Sequence, residues 1–189
     1  MWHGMLVLLA ATGLFAQEFK VGGKVADFQV NDPLARPVKY STLRGDVTVV
    51  MFVSVECPIS NDYNERMIAL YNDYSAKGVK FVFLNANVTE SPTQILDHGK
   101  QVGFPFTVYR DAGNLVADKF GAQVTPESYV MDKTGTLLYH GAIDDARNPA
   151  RVTVKGLRMA LDAVQAGSAV TTPQTRAFGC TIKRVRKTT

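Results

Sequence analysis

Residues 47–55 form an almost unbroken run of β-branched and apolar side chains, and the run ends directly in Glu56-Cys57-Pro58. Apolar character at nearly every position, rather than at every second one, marks a strand covered on both faces. The period then changes. Ile59, Tyr63, Met67, Leu70, Tyr71 and Tyr74 recur at helical spacing, and Lys77-Gly78 supplies a stop. Pro58 suits a first helical turn, where its missing N–H is no loss. Cys57 therefore stands at a strand-to-helix junction, at or next to the N-cap. A strand buried on both faces needs neighbouring strands and two covering layers, which the remaining chain must supply.

The rest of the sequence does so by alternation. Residues 81–86 read as a second buried strand, and Ser91-Pro92-Thr93-Gln94 has the form of a capping box opening a helix that ends near Gly103. Residues 104–109 read as a strand, 111–114 as a turn, and 115–120 as a short helix closed by Gly121. Residues 127–132 and 136–141, separated by Lys133-Thr134-Gly135, form a hairpin. Asn148-Pro149 is expected to cap a last helix with Val152, Leu157, Ala160, Leu161 and Val164 inward, ending at Gly167. Short alternations between Gly22 and Leu43 suit an added N-terminal β-hairpin. The expected architecture is three-layer α/β: a central mixed sheet flanked by helices.

Among 189 residues, 46% are hydrophobic and 20% charged, close to globular averages and far from disordered or coiled-coil compositions. The net charge of +4 is concentrated at the end: from Arg176 onward there are five basic residues and no acid, so the preceding body is near neutral. That distribution excludes a phosphate-tracking surface, and no nucleic-acid partner is expected. Residues 5–16 are apolar, but a helix of that length spans only about 18 Å, short of the ~30 Å hydrocarbon core. Residues 1–16 therefore read as a cleaved signal peptide, with cleavage after Ala16 and no stable membrane insertion afterwards. The expected organisation is a signal at 1–16, a domain at 17–167 and an extended tail at 168–189, in a periplasmic or secreted protein. The mature chain holds two cysteines, Cys57 and Cys180, too few for a disulfide-dense scaffold.

The ordered series Gly23-Lys24-Val25-Ala26-Asp27-Phe28, Leu43-Arg44-Gly45, Phe52 to Cys57-Pro58, Val124-Thr125-Pro126, Asp132-Lys133-Thr134-Gly135 and Tyr139 to Asp145 resembles the thioredoxin superfamily, specifically its redoxin branch (the alkyl hydroperoxide reductase and thiol-specific antioxidant family). The resemblance covers residues 20 to 165. It implies a thioredoxin-like fold and a thiol-dependent oxidoreductase with Cys57 as nucleophile. It also implies a cis peptide at Thr125-Pro126, facing the cysteine and receiving an extended substrate strand. Its partners would be protein thiols or hydroperoxides with an external thiol reductant, and it calls for no cofactor. Three positions depart from the family patterns. Ser60 stands where thioredoxins carry the second cysteine, and Val50 and Ser54 where peroxiredoxins carry Pro and Thr; the family's peroxide-site Arg is matched by no residue, Arg110 and Arg147 being candidates by proximity in the chain alone.

A helix N-terminus favours a thiolate at Cys57, while the neighbouring Glu56 opposes it. Ser60, three residues on, offers a hydroxyl that can hydrogen-bond the thiolate but cannot form a disulfide. A redox cycle then needs another thiol, and Cys180 is the candidate. In this fold the last helix carries the chain about 24 Å away from the active-site end, and the stretch from Gly167 to Cys180 reaches back up to ~43 Å when extended. Cys180 can thus resolve oxidised Cys57, form a structural staple with it, or stay unpaired. A non-enzymatic module is the competing class, in which the cysteines with His98 and His140 hold copper or the groove binds a protein. Asp144-Asp145 reads as a solvated loop, the Tyr63, Tyr71, Tyr74 stripe as helix packing, and the basic end as a solvated terminus.

Overall fold

The computed structural model describes residues 19–186; the signal expected at 1–16 and the last three residues lie outside that range. The strands and helices in chain order are β1 (Gln29–Asn31), β2 (Pro37–Lys39), β3 (Val47–Phe52), α1 (Pro58–Asn61), α2 (Asn64–Ser75), β4 (Val79–Asn85), α3 (Pro92–Val102) and β5 (Val108–Arg110). There follow α4 (Leu115–Phe120), β6 (Val124–Thr125), β7 (Glu127–Asp132), β8 (Leu137–Gly141), α5 (Gly156–Gln165) and β9 (Cys180–Thr181). Seven strands form one mixed sheet in the order β2-β1-β5-β4-β3-β7-β8, and β6 and β9 form a separate pair. β3, β4 and β5 run parallel, whereas β7 and the hairpin β1–β2 are antiparallel to their neighbours.

All six residues of β3 are buried, as a central strand requires. Its alternation divides the core between the two faces of the sheet. Val50 and Phe52 pack with Leu84, Tyr129, Met131 and Phe120. Val49 and Met51 pack with Phe83, Val130, Met67, Leu70 and Leu161, under α2 and α5. α3 carries the expected capping box, with Ser91 Oγ accepting the Gln94 N–H and Gln94 reaching back to the Ser91 N–H. Gly103 ends it in the left-handed region at φ 75°.

Three expectations are corrected. The helix after Cys57 is two helices, because the chain breaks at Asp62-Tyr63. The Tyr63 hydroxyl donates to Asp144 Oδ1 (2.8 Å) and to the Ala146 carbonyl (3.0 Å), and the Arg66 guanidinium lies 3.5 Å above its ring. Apolar spacing continues across such a break, so periodicity alone reads straight through it. The last helix does not start at Asn148-Pro149, where Asn148 caps only a 3₁₀ turn. Val152 is extended (ψ 119°), and the Asp145 carboxylate takes the Thr153 N–H, so α5 begins at Gly156. The strand expected at 104–109 shortens to Val108–Arg110, because Phe104 and Phe106 leave the sheet to stack on each other, with Phe106 also stacked on Phe83.

After Gly167 the chain turns back in an extended course. Thr175 bonds across to His140, and further on the Lys183 and Val185 N–H groups are taken by Asn87 Oδ1 and Asn114 Oδ1. The segment is a strap over one end of the sheet, tied at both ends.

Candidate active site

β3 delivers the chain to Ser54, and the following turn places Cys57 as the N-cap of α1 in extended conformation (φ −82°, ψ 112°). Pro58 occupies the first turn, as its fixed φ and absent N–H allow. The Cys57 sulfur accepts the Ser60 N–H at 3.2 Å and lies 3.4 Å from the Thr125 carbonyl oxygen. Thr125-Pro126 is a cis peptide, as the resemblance implied. Cys57 and Cys180 are joined in a disulfide with their Cα atoms 5.7 Å apart, across 123 residues of sequence. Cys57 is 3% exposed, whereas Cys180 is half-buried.

Cys180 arrives on β9, which pairs antiparallel with β6 so that Thr125 faces Cys180 and Val124 faces Thr181. The Ile182 N–H continues the ladder to the Gln123 carbonyl at 2.9 Å. The edge beside the cis peptide is therefore occupied by the protein's own tail.

The expected side chains converge, with one change of role. Ser60 presents its backbone N–H to the sulfur, while its hydroxyl oxygen accepts the Ser54 N–H at 3.1 Å. The hydroxyl is engaged away from Cys57, and Ser60 is fully buried. The two histidines are apart from the cysteines: His98 packs edge-on against Phe104, and His140 stacks on Tyr129 and meets Glu127 Oε1 at 2.5 Å. Among the described residues, no three His, Cys, Asp or Glu side chains are grouped to hold a metal. Arg110 donates to the Glu90 carbonyl and Arg147 pairs with Asp62. Asp144 is buried and bidentate on Arg66, so it is no solvated loop residue.

Two buried acids are absent from the sequence reading. Glu90, 1% exposed, accepts the Ser54 hydroxyl (2.5 Å), the Val55 and Glu56 N–H groups (2.8 and 3.2 Å) and the Asn85 amide (2.5 Å). It ties the turn before Cys57 to the end of β4. Glu127 directly follows the cis proline and accepts the Gln123 and Val124 N–H groups and the Tyr129 hydroxyl, fixing β6. An acid next to a helix cap or a proline carries no sequence signal of burial; only the polar N–H groups of the two turns, which need acceptors, hint at it.

A model of the AhpC/TSA family matches residues 21–140. The chain belongs to that family. Among curated relatives, the thiol-disulfide oxidoreductase ResA of Bacillus thuringiensis is 26% identical over 128 residues, covering 67% of this chain and 73% of that one. Among solved structures, an uncharacterised conserved protein of Geobacillus kaustophilus superposes with a TM-score of 0.83 at 31% identity, over 90% of this chain and 95% of that one. A hypothetical protein of Sinorhizobium meliloti gives 0.82 at 31% identity, over 90% and 98%. The fold is thioredoxin-like, and the family and the relatives' name are consistent with a thiol-dependent oxidoreductase.

Proposed function

We propose that this redoxin catalyses thiol–disulfide exchange outside the cytoplasm, with Cys57 as nucleophile and Cys180 as resolving thiol. The observation that carries the reading is the Cys57–Cys180 disulfide at a helix N-cap beside a cis proline. In the reduced protein the Ser60 N–H and the α1 N-terminus favour the Cys57 thiolate. That thiolate attacks one sulfur of a partner disulfide, forming a mixed disulfide and expelling the partner's second sulfur as a thiolate. Cys180 then attacks the Cys57 sulfur, the mixed disulfide breaks, and the partner leaves as a dithiol while Cys57–Cys180 forms. An external dithiol returns the enzyme by attacking Cys180, the less buried of the two residues, so that Cys57 departs as the stabilised thiolate.

Thr125, Pro126 and Pro58 line the groove that receives the partner. Peroxide reduction has less support, since Arg110 and Arg147 are both committed to other groups. The apolar run at 5–16 supports a cleaved signal at 1–16, hence a periplasmic or secreted location for the domain at 17–167 and its tail at 168–189.

The test is the equilibrium of Cys57 and Cys180 in graded glutathione buffers, read by mass on the mature protein. A reversible bond with a potential above about −250 mV is expected of an exchangeable pair. A bond that stays closed to below about −300 mV makes it a structural staple and moves the function to binding.

A further inference from the structure

We infer that the tail segment 178–182 occupies the substrate groove as a template, so that partners present their reactive cysteine in the same pattern: an aromatic residue, Gly, Cys, any residue, then an aliphatic one. This rests on the thiol-exchange reading above and names its substrate class. Strand addition at a sheet edge draws affinity from the backbone ladder and specificity from alternate side chains. The tail shows both. Its backbone pairs with β6 at Thr125 and Val124 and continues to Gln123. Its side chains alternate: Phe178 packs against Tyr63 with ring centroids 6.2 Å apart, Cys180 meets Cys57, Thr181 is exposed, and Ile182 is 3% exposed in the core cluster of Phe120 and Ala122.

Gly179 sets the sharpest condition. A Cβ at that position would overlap the Thr125 carbonyl, which is backbone and part of the ladder. Gly179 is not in a left-handed conformation, so its requirement is close approach and not φ. Any strand that places its cysteine opposite Thr125 in this register meets the same carbonyl with its preceding residue. With the tail in place Cys57 is almost inaccessible, so partner and tail exchange on one edge: the partner's strand enters as the tail leaves.

The test uses the full-length Cys180→Ser protein, reduced, in which Cys57 is the one thiol of the mature chain. The probes are peptides of sequence Arg-Ala-Phe-Gly-Cys-Thr-Ile-Lys whose cysteine is linked to 2-thiopyridine, together with versions carrying Val for Gly or Ser for both Phe and Ile. The Cys57 thiolate attacks the peptide sulfur, the peptide–thiopyridine bond breaks, and pyridine-2-thione leaves with a proton and is read by absorbance. Rates are divided by those of each peptide with free glutathione, which removes intrinsic reactivity. The parent peptide is expected to react at least about tenfold faster than either variant. Adding Gly179→Val to the protein, which evicts its own tail, is expected to raise the parent rate further. Equal normalised rates for all peptides, with glutathionyl-thiopyridine still reacting, overturn the template. Failure of glutathionyl-thiopyridine with the Cys180→Ser/Gly179→Val protein, in which the tail no longer covers Cys57, overturns the thiol-exchange reading, and the template with it.

Discussion

The Ser54 hydroxyl donates to the buried Glu90 carboxylate at 2.5 Å while its oxygen accepts the Cys57 N–H at 3.0 Å. Glu90 thus positions Cys57 without touching it, holding the turn from Ser54 to Glu56 by three hydrogen bonds. Replacing Glu90 with Gln keeps the shape but faces N–H donors with an amide that is itself half donor. We expect a loss of about 2–4 kcal/mol in urea unfolding, because buried donors are left unpaired. An unchanged midpoint would remove Glu90 from this role.

Glu56 offers the contrast, since it adjoins Cys57 in sequence but is exposed. Its substitution by Gln should leave stability within about 0.5 kcal/mol. It removes a negative charge that opposes the Cys57 thiolate, so alkylation of reduced Cys180→Ser protein at pH 7 should quicken about two- to threefold at low salt. The gain should fade as salt screens the charge. A slower reaction in the Gln variant would contradict this.

Ser60 separates two roles in one residue. The Ala variant keeps the N–H that faces the sulfur and loses the hydroxyl that accepts the Ser54 N–H. The expected result is a stability loss of about 1–3 kcal/mol with the alkylation rate of Cys57 changed far less. A large fall in rate at intact stability would return the hydroxyl to the sulfur, as the sequence first suggested.

The disulfide closes a loop of over a hundred residues, for which chain entropy gives about 4–5 kcal/mol. Reduced wild type and the Cys180→Ser variant should therefore unfold at matching denaturant midpoints, both well below the oxidised protein. Agreement between the two isolates the bond from the side chain. If the oxidised and reduced proteins unfold together, the bond contributes nothing to stability.

Much of this was legible from periodicity and punctuation. β3 announced itself by apolar residues at every position, and α3 by Ser91, Pro92 and Gln94, because these signals lie within a few residues of the structure they cause. The reach of the tail followed from chain dimensions, and Cys180 does return to Cys57. The break at Tyr63 is hidden because it is set by Asp144, an acid on a loop far along the chain from α2, and the late start of α5 at Gly156 because Asn148-Pro149 reads as a helix start while the Asp145 carboxylate holds Thr153 out of the helix. The occupied groove was hidden for a similar reason. A two-residue strand such as Cys180–Thr181 has no pattern of its own, and only its partner β6 makes it a strand.

Glu127 gives the site a pH dependence. Burial is the largest influence and opposes its ionisation, but the hydrogen bonds from His140 and from the Val124 and Gln123 N–H groups outweigh it, and the folded carboxyl lies below its ordinary value of 4.5. An acid held low in the folded state adds stability that is complete above the unfolded value and disappears as pH falls through the folded one. Wild-type Tm should therefore drop on acidification below about 4.5 more steeply than that of Glu127→Gln, whose amide does not titrate. The comparison is thermal unfolding of both oxidised proteins at pH 7, 5, 4 and 3. The Tm gap between them should be widest at pH 7 and 5 and narrow toward pH 3. A gap that stays constant across the series would mean that Glu127 is held by packing and not by its charge. β6 would then keep its place beside Cys57 independently of pH.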